Sequence, residues 1–529
     1  MASGPLVLAI DQGTSSTKAL LVDAGGRVVA RGTAPLAERQ PRPGWVEQSP
    51  DELWESVRLA VRTCVDPSAA GRIAGVGISN QRESLVLWER STGRPAGPLI
   101  SWQDQRTVAQ CRELAATGAG DLVRSVSGMP LDPMFSALKA RWLLDAYDPD
   151  RRRSLAGELC LGTVDSWLLS RFGGDHVIEA GNASRTQLLD VRAGQWDERL
   201  LELFGVPRQV LPRVVASDGD FPAVRGLDPV PDGVPVLAVL GDSHAAMFAH
   251  AGWRPGVVKA TYGTGSSVMA IGDGGDAPGL CRSIAWDLGG RVLAVEGNIR
   301  ATGRAVSWLA ELFGVDSERL LAEAGDDEPG GVHLVPAFGG LGAPWWEPDA
   351  TAVLTGLTAG TRRGQLVAAA LESVAFQVED VVAAVERATG QVRVLLADGG
   401  LTRSARLMRS QAEISGRVVV RSGEHDLSCL GAADAAALSA GLCTYDELEG
   451  RQRPAEEFRP EGDPGERAAR LAAWHEAVDR ARPPGPRPAP ATSRPAPASP
   501  PPASASPPPA SASPPPGGDR SAHGERSST

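Results

Sequence analysis

The chain has 529 residues, too long for one ordinary hydrophobic core, and its 42% hydrophobic and 22% charged residues are the composition of a globular protein with two or more domains. With 53 Lys+Arg against 64 Asp+Glu, the formal charge of −11 argues against a nucleic-acid protein, which carries a basic footprint, but leaves room for a local anion site. The N-terminus lacks a secretory pattern and no apolar run reaches the roughly eighteen residues of a membrane span, so a cytoplasmic protein without membrane insertion is expected. The six cysteines have neither metal-ligand nor redox spacing. Only three lysines occur, Lys18, Lys139 and Lys259, which reads as codon bias without mechanistic weight.

Short apolar runs bounded by glycine open the chain: a strand over 6–11, turn chemistry in QGTSST, a strand over 18–24, a Gly25-Gly26 turn and a strand over 27–32. Helical spacing follows from Trp54 to Cys64, then a buried strand over 73–79 and another over 85–89. Helices are expected over 107–114, 136–145 and 164–170. The second half begins alike, with strands at 234–242, on both sides of the glycine turn near 263, and at 291–298. A strand over 392–400 runs into Gly399-Gly400, a helix follows over 404–414, and a small-residue helix covers 428–442. The mixture is α/β, and the repeated strand–glycine turn–strand hairpin suggests two related domains facing each other. From Pro483 to Thr529 the chain holds 16 of the 42 prolines and no apolar residue larger than Ala. Such a segment is expected to be disordered.

Three glycine turns after apolar strands are the candidates for chemistry. Asp11-Gln-Gly-Thr-Ser-Ser-Thr-Lys18 sets hydroxyls, amides and a cation on one turn, a concave nest for phosphate oxygens. Thr261-Tyr-Gly-Thr-Gly-Ser266 repeats it, and Asp398-Gly-Gly-Leu401 precedes a helix whose N-terminus can face an anion. Together they suggest a nucleoside triphosphate between two domains; neither a dinucleotide fingerprint nor a P-loop is present. Asp242 ends a strand before a helix, the place of a general base or of an ordinary helix N-cap. His244 beside it reads as structural. Asn80-Gln-Arg-Glu83 ends a buried strand, where Arg82 and Glu83 either pair with each other or grip substrate hydroxyls. Trp102 offers an apolar wall to a carbon chain.

These segments resemble the FGGY carbohydrate kinases, most closely their glycerol kinase branch. The similar stretches include AIDQGTSSTKALLVD, GISNQRES, ATYGTGS, VPAFGGLGAPWWEPDATAVLTGLT and ADGGLTRSARLMRSQAEI, and they extend from Leu6 to near Arg459. The resemblance implies two ribonuclease-H-like domains of actin/hexokinase type around a central cleft. The implied division is residues 1–248 for acceptor and phosphate hairpin, 249–482 for the nucleotide, and 483–529 as a tail. It implies ATP and Mg²⁺, a small polyol or sugar as partner, and a homodimer or homotetramer. Carried over by motif, Thr14, Ser15, Ser16 and Lys18 would meet the ATP phosphates, with Asp11 as the Mg²⁺ candidate. Thr264, Gly303 and Gly400 would line the nucleotide, with Ser307 and Ser404 where the family often has Gln and Asn. Arg82, Glu83, Trp102 and Asp242 would hold the acceptor, Asp242 as base.

Three positions depart from the glycerol kinase pattern: Met134 stands for Tyr, Ser243 for Gln and Ser267 for Phe. Bulk is lost and small hydroxyls are gained, which leaves room for an acceptor longer than glycerol. Asp104 is similar to a xylulokinase segment, whereas Asn80–Glu83 keeps the glycerol type. The acceptor is therefore glycerol, a four- or five-carbon polyol, or a ketopentose. An actin-like ATPase gives no purpose to Arg82, Glu83, Trp102 and Asp242, and a silent sugar-binding protein none to the phosphate hairpins.

Overall fold

A computed structural model describes residues 4–275, 277–323, 327–451 and 453–483. Apart from Pro483, the tail expected to be disordered lies outside the described residues. In the N-terminal half, Leu6–Gln12, Ser16–Asp23 and Val28–Pro35 form an antiparallel meander. Ile73–Asn80 then joins the other side of Leu6–Gln12 in parallel, and Val236–Gly241 joins beyond it, also in parallel. The two innermost strands, LVLAIDQ and IAGVGISN, are apolar nearly throughout because both sheet faces are covered.

The C-terminal half repeats this order. Val257–Tyr262 and Ser266–Ile271 form the hairpin, and Arg291–Ile299 and Cys281–Asp287 continue it antiparallel. Val394–Asp398 and Val418–Ser422 add parallel on the other side, and Ala455–Phe458 closes the edge. Each half thus contains three antiparallel strands extended on one side by two parallel strands, the ribonuclease-H-like plan, duplicated, with Cys281–Asp287 and Ala455–Phe458 added at the edges of the second sheet.

The helices sit where sequence spacing puts them, with no end shifted by more than four residues. Pro50–Cys64 starts on Ser49, whose hydroxyl accepts from Glu52 N. Val108–Ala116, Ser136–Tyr147 and Val164–Arg171 follow. A helix not anticipated in the sequence, Arg363–Thr389, runs 27 residues through the C-terminal core. Val367, Leu371, Val374, Val378, Val381 and Val385 recur along it at helical spacing, and the polar Glu372, Gln377, Glu379 and Asp380 of its other side are buried as well.

Leu427–Ser439 crosses back onto the N-terminal sheet. A Cβ at Gly77 would overlap the carbonyl of Ala432, and one at Gly431 would overlap that of Ala245. Small residues let this helix seat directly on the strand Ile73–Asn80 and on the helix Asp242–Ala249. One apolar cluster accordingly joins Val7, Ala9 and Leu240 to Met269, Trp286 and Leu430. No described helix is long and apolar enough to cross a membrane.

Candidate active site

The first glycine turn is tied at both ends. Gly13 N donates to Ser16 O (3.0 Å), Leu36 N to Ser15 O (2.9 Å) and Gln48 Nε2 to Thr14 O (2.5 Å). Ser16 already lies in the second strand, so the loop is Gly13-Thr14-Ser15, with Ser15 exposed at its tip. Trp102, expected to wall the acceptor, donates its Nε1 to Thr14 Oγ1 at 3.1 Å and is thereby tied to this hairpin. Lys18 stands across the pair from Asp11 and reaches Asp426 at 3.0 Å. Asp11 accepts from Ser79 Oγ, and burial pushes its carboxyl up to about 6.

The strand Val236–Gly241 delivers Asp242 to the cleft. Gly241 is the N-cap and Asp242 the first helical residue, and its Oδ1 accepts from Ser243 N at 2.6 Å. It therefore caps nothing two or three residues on, and the N-cap alternative is corrected. Its side chain stays 37% exposed, with Arg82 Nε 3.5 Å from Oδ1. Desolvation by the cleft walls raises its pKa; Arg82 opposes this. His244 faces inward, its pKa lowered to about 4 by burial, with Nε2 3.2 Å from Arg82 Nη1. It is neutral near pH 7 and structural.

Arg82 and Glu83 do not pair with each other. Arg82 Nη1 donates to Glu296 Oε2 at 3.0 Å, while Glu83, held at φ +62, takes Arg185 Nε. Arg185 Nη1 lies 2.9 Å from Glu296, and Ser283 Oγ donates to Glu296 at 2.6 Å. Glu296, fully buried on the C-terminal sheet, thus gathers both arginines of the N-terminal half, and they hold its pKa well below the usual carboxylate range despite burial.

A cleft of about 360 Å³ opens between the halves, lined by Asp242, Ser243, Lys259, Asp398, Gly400 and Arg403 among others. Lys259 is 1% exposed, and its Nζ lies 3.6 Å from Asp398 Oδ2. His250 Nε2 approaches the same oxygen at 3.4 Å. Thr264 and Gly303 meet beside the second glycine turn: Gly303 N donates to Gly263 O at 2.9 Å and Thr302 N to Thr264 O at 3.0 Å. A Cβ on Gly303 would lie 2.6 Å from Gly263 O, so only glycine lets the helix Gly303–Phe313 start there. Ser307, one turn on, spends its hydroxyl on Arg304 O (3.2 Å). Ser404 caps the helix Ala405–Ser415 by accepting from Leu407 N (3.3 Å).

Met134 packs against the cluster of Met129, Phe135 and Cys281; its N donates to Asp132 (2.9 Å) and its O accepts from Lys139 Nζ (2.7 Å). Ser267 lies opposite Thr261 and Asn298 in the sheet, its hydroxyl buried without a partner. Asp104 is fully buried, paired with Arg106 at 2.8 Å and accepting Val46 N at 2.6 Å, so its carboxylate braces structure. Sequence reasoning missed Glu296, Arg185, Asn298 and Lys259 as site residues, and took the turn at Asp398 only as an anion site. The one available signal was lysine scarcity: Lys139 and Lys259 are buried, and Lys18 is paired beside the phosphate turn.

The N-terminal domain of the FGGY family of carbohydrate kinases matches residues 6–249, and the family's C-terminal domain matches 258–440. The chain belongs to the FGGY family of carbohydrate kinases. It is therefore an ATP-dependent phosphotransferase acting on an alcohol acceptor. A glycerol kinase of Aromatoleum aromaticum is 42% identical over 493 residues, covering 90% of this chain and 98% of its own. An apulose kinase of Pectobacterium atrosepticum is 38% identical over 488 residues, at 90% and 98%. Among solved structures, Plasmodium falciparum glycerol kinase with ADP aligns with a TM-score of 0.82 at 28% identity, covering 90% of this chain and 98% of its own. Xylulose kinase from Rhodospirillum rubrum shares the fold, with a TM-score of 0.78 at 24% identity and the same coverage.

Proposed function

We propose that the chain transfers the γ-phosphoryl group of ATP to a primary hydroxyl of a small polyol or ketose, with Asp242 as general base. The observation that carries this reading is the convergence on one carboxylate: Asp242 lines the same cleft as Gly400 and has Arg82 at 3.5 Å. Arg82, Glu83 and Trp102 orient the acceptor, and Asp242 removes the proton of its terminal hydroxyl. That oxygen attacks the γ-phosphorus in line, the phosphorus–oxygen bond to ADP breaks, and the proton stays on Asp242. The Thr14-Ser15-Ser16 turn and Lys18 cradle the transferring phosphates. Thr264, Gly303 and Gly400 line the nucleotide, with Ser307 and Ser404 at the margin, their hydroxyls already engaged.

Mg²⁺ suits this donor set. Among the described residues no group of three or more His, Cys, Asp or Glu could hold a metal. An ion carried mainly by phosphate oxygens and water, with one carboxylate from the protein, matches Mg²⁺ chemistry, and the half-buried Asp11 would be that carboxylate. When bound, the ion neutralises charge on the phosphoryl oxygens. Residues 1–248 serve in this reading as the acceptor and phosphate half, and 249–482 as the nucleotide half.

Relatives named glycerol kinase make glycerol the reference acceptor. The small side chains Ser243 and Ser267, and the withdrawal of Met134 into an apolar cluster, favour a longer one, and an apulose kinase among the relatives fits that preference. The test is coupled ADP release against glycerol, erythritol, threitol, ribitol, xylitol, D-xylulose and both ribuloses. Asp242→Asn should lower kcat about 10²–10⁴-fold on whichever acceptor the native enzyme uses. Turnover indifferent to Asp242→Asn would overturn its role as base.

A further inference from the structure

Glu296 and Asn298 of the strand Arg291–Ile299 share one sheet face, and both, like Arg300 just past the strand's end, reach into the N-terminal half. Glu296 holds Arg82 and Arg185. Arg300 pairs with Asp132, which also accepts the backbone N of Met134. Asn298, between them, accepts Arg185 Nη2 on Oδ1 at 3.3 Å, and Arg185 in turn holds Glu83. The strand therefore braces the acceptor pocket from the opposite half of the molecule.

Glu296 and Arg300 are consumed by ion pairs. Asn298 is not. The arginine donor on Oδ1 fixes which way its amide points. The Nδ2 group is left without a protein acceptor among the described residues, and the side chain is only partly buried. Directly opposite on the neighbouring strand is Ser267, with Oγ buried and without a partner. Opposed residues of an antiparallel pair stand about 5 Å apart at Cβ on the same face. A buried hydroxyl left unbonded is costly, and such groups in native proteins call for an explanation. A ligand hydroxyl supplies one here. The position also matters: Asn298 is two residues, about 7 Å of extended strand, beyond the carboxylate that anchors Arg82. A four- or five-carbon acceptor with its reacting end at Arg82 and Asp242 has the length to span such a separation.

We propose that Asn298 and Ser267 form a subsite for the distal hydroxyls of a four- or five-carbon polyol or ketose, with Asn298 Nδ2 donating and Ser267 Oγ donating or accepting. The proposal rests on the kinase reading above.

The test measures kcat/KM of the full-length enzyme and of Ser267→Ala and Asn298→Ala on glycerol, erythritol, ribitol, xylitol and D-xylulose with ATP-Mg²⁺. Native enzyme should prefer a longer acceptor. Ser267→Ala should lose about tenfold or more on it, chiefly through KM, and clearly less on glycerol, while Asn298→Ala, which also frees Arg185 beside Glu83, should lose on both but more on the longer acceptor. Ser267→Ala removes a group that bonds nothing in the protein, so its thermal unfolding should match the native enzyme and isolate the ligand contact. Equal losses on short and long acceptors, unchanged kinetics in Ser267→Ala, or a native preference for glycerol would remove the subsite while leaving the kinase reading intact. No acceptor-dependent turnover anywhere on the panel would overturn the kinase reading and the subsite with it.

Discussion

Lys259 carries a positive charge into an almost waterless position beside two carboxylates, Asp398 at 3.6 Å and Asp242 along the same cleft wall. The charges facing Asp242 are Arg82 and Lys259, which favour its ionised form, and Glu83 and Asp11, which oppose it; desolvation is the largest influence and raises its pKa. As the proposed general base Asp242 works only when ionised, so kcat/KM should fall as pH drops through a value above the ordinary aspartate range. Lys259→Met removes one favouring charge and should move that acid limb to still higher pH, while costing about 3–5 kcal/mol of stability for stranding Asp398. A pH–rate profile with an unmoved limb would deny Lys259 its electrostatic part. The residue itself was legible only obliquely. A chain that writes nearly all its basic residues as Arg keeps Lys at three places, and the structure puts them beside the phosphate turn or in buried sites where a compact ammonium fits and a planar guanidinium is larger. Asp242 was plain because it ends an apolar strand. Arg82 and Glu83 were plain as buried charges, but their partners Glu296 and Arg185 lie 214 and 102 residues away, and no local pattern encodes such pairings.

At the scale of elements, the glycine turns and short apolar strands were readable because period-2 runs and turn residues are local signals. The helix Arg363–Thr389 was not anticipated, although Val367, Leu371, Val374, Val378, Val381 and Val385 recur at helical spacing; that its polar side, with Glu372, Gln377, Glu379 and Asp380, is buried too is a tertiary fact that no local pattern gives. Likewise, nothing local says that Leu427–Ser439 returns to the first sheet, although its run of Gly and Ala marks a surface for close contact. The junction of Val236–Gly241 with Asp242–Ala249 shows how tightly such contacts set the site. Gly241 has φ −66, which alanine adopts freely. Yet a Cβ there would lie 2.8 Å from Cγ of Arg82, whose far end is fixed on Glu296. Gly241→Ala should therefore cost about 1–3 kcal/mol by overpacking and displace Arg82 from Asp242. Steady-state kinetics should show acceptor KM raised and kcat/KM lowered at least tenfold. Native kinetics in that variant would mean Arg82 has slack that the geometry does not suggest.

Across the whole molecule, the two halves meet through charge as much as through apolar packing. Arg82 and Arg185 come from the first half and end on one carboxylate of the second, all three at 5% exposure or less. Removing one member of such a buried set leaves the others uncompensated, at about 3–5 kcal/mol. Glu296→Gln keeps the shape and two hydrogen-bonding atoms but strands two guanidinium charges. Because Glu296 titrates well below an ordinary glutamate, its stabilisation is complete above about pH 4.5 and is lost only as pH falls toward its depressed folded value. The loss in Glu296→Gln should therefore be full at neutral pH and shrink in strong acid, where the native carboxylate is itself protonated. The stranded charges also sit at the junction, so the damage falls on coupling between the halves. Calorimetry should show the native enzyme unfolding in one transition and Glu296→Gln in two, with acceptor binding weakened more than ATP binding because Arg82 and Glu83 lose their common anchor. A single transition merely shifted to lower temperature, with both affinities reduced alike, would make Glu296 an ordinary stabilising residue and not the latch between the halves.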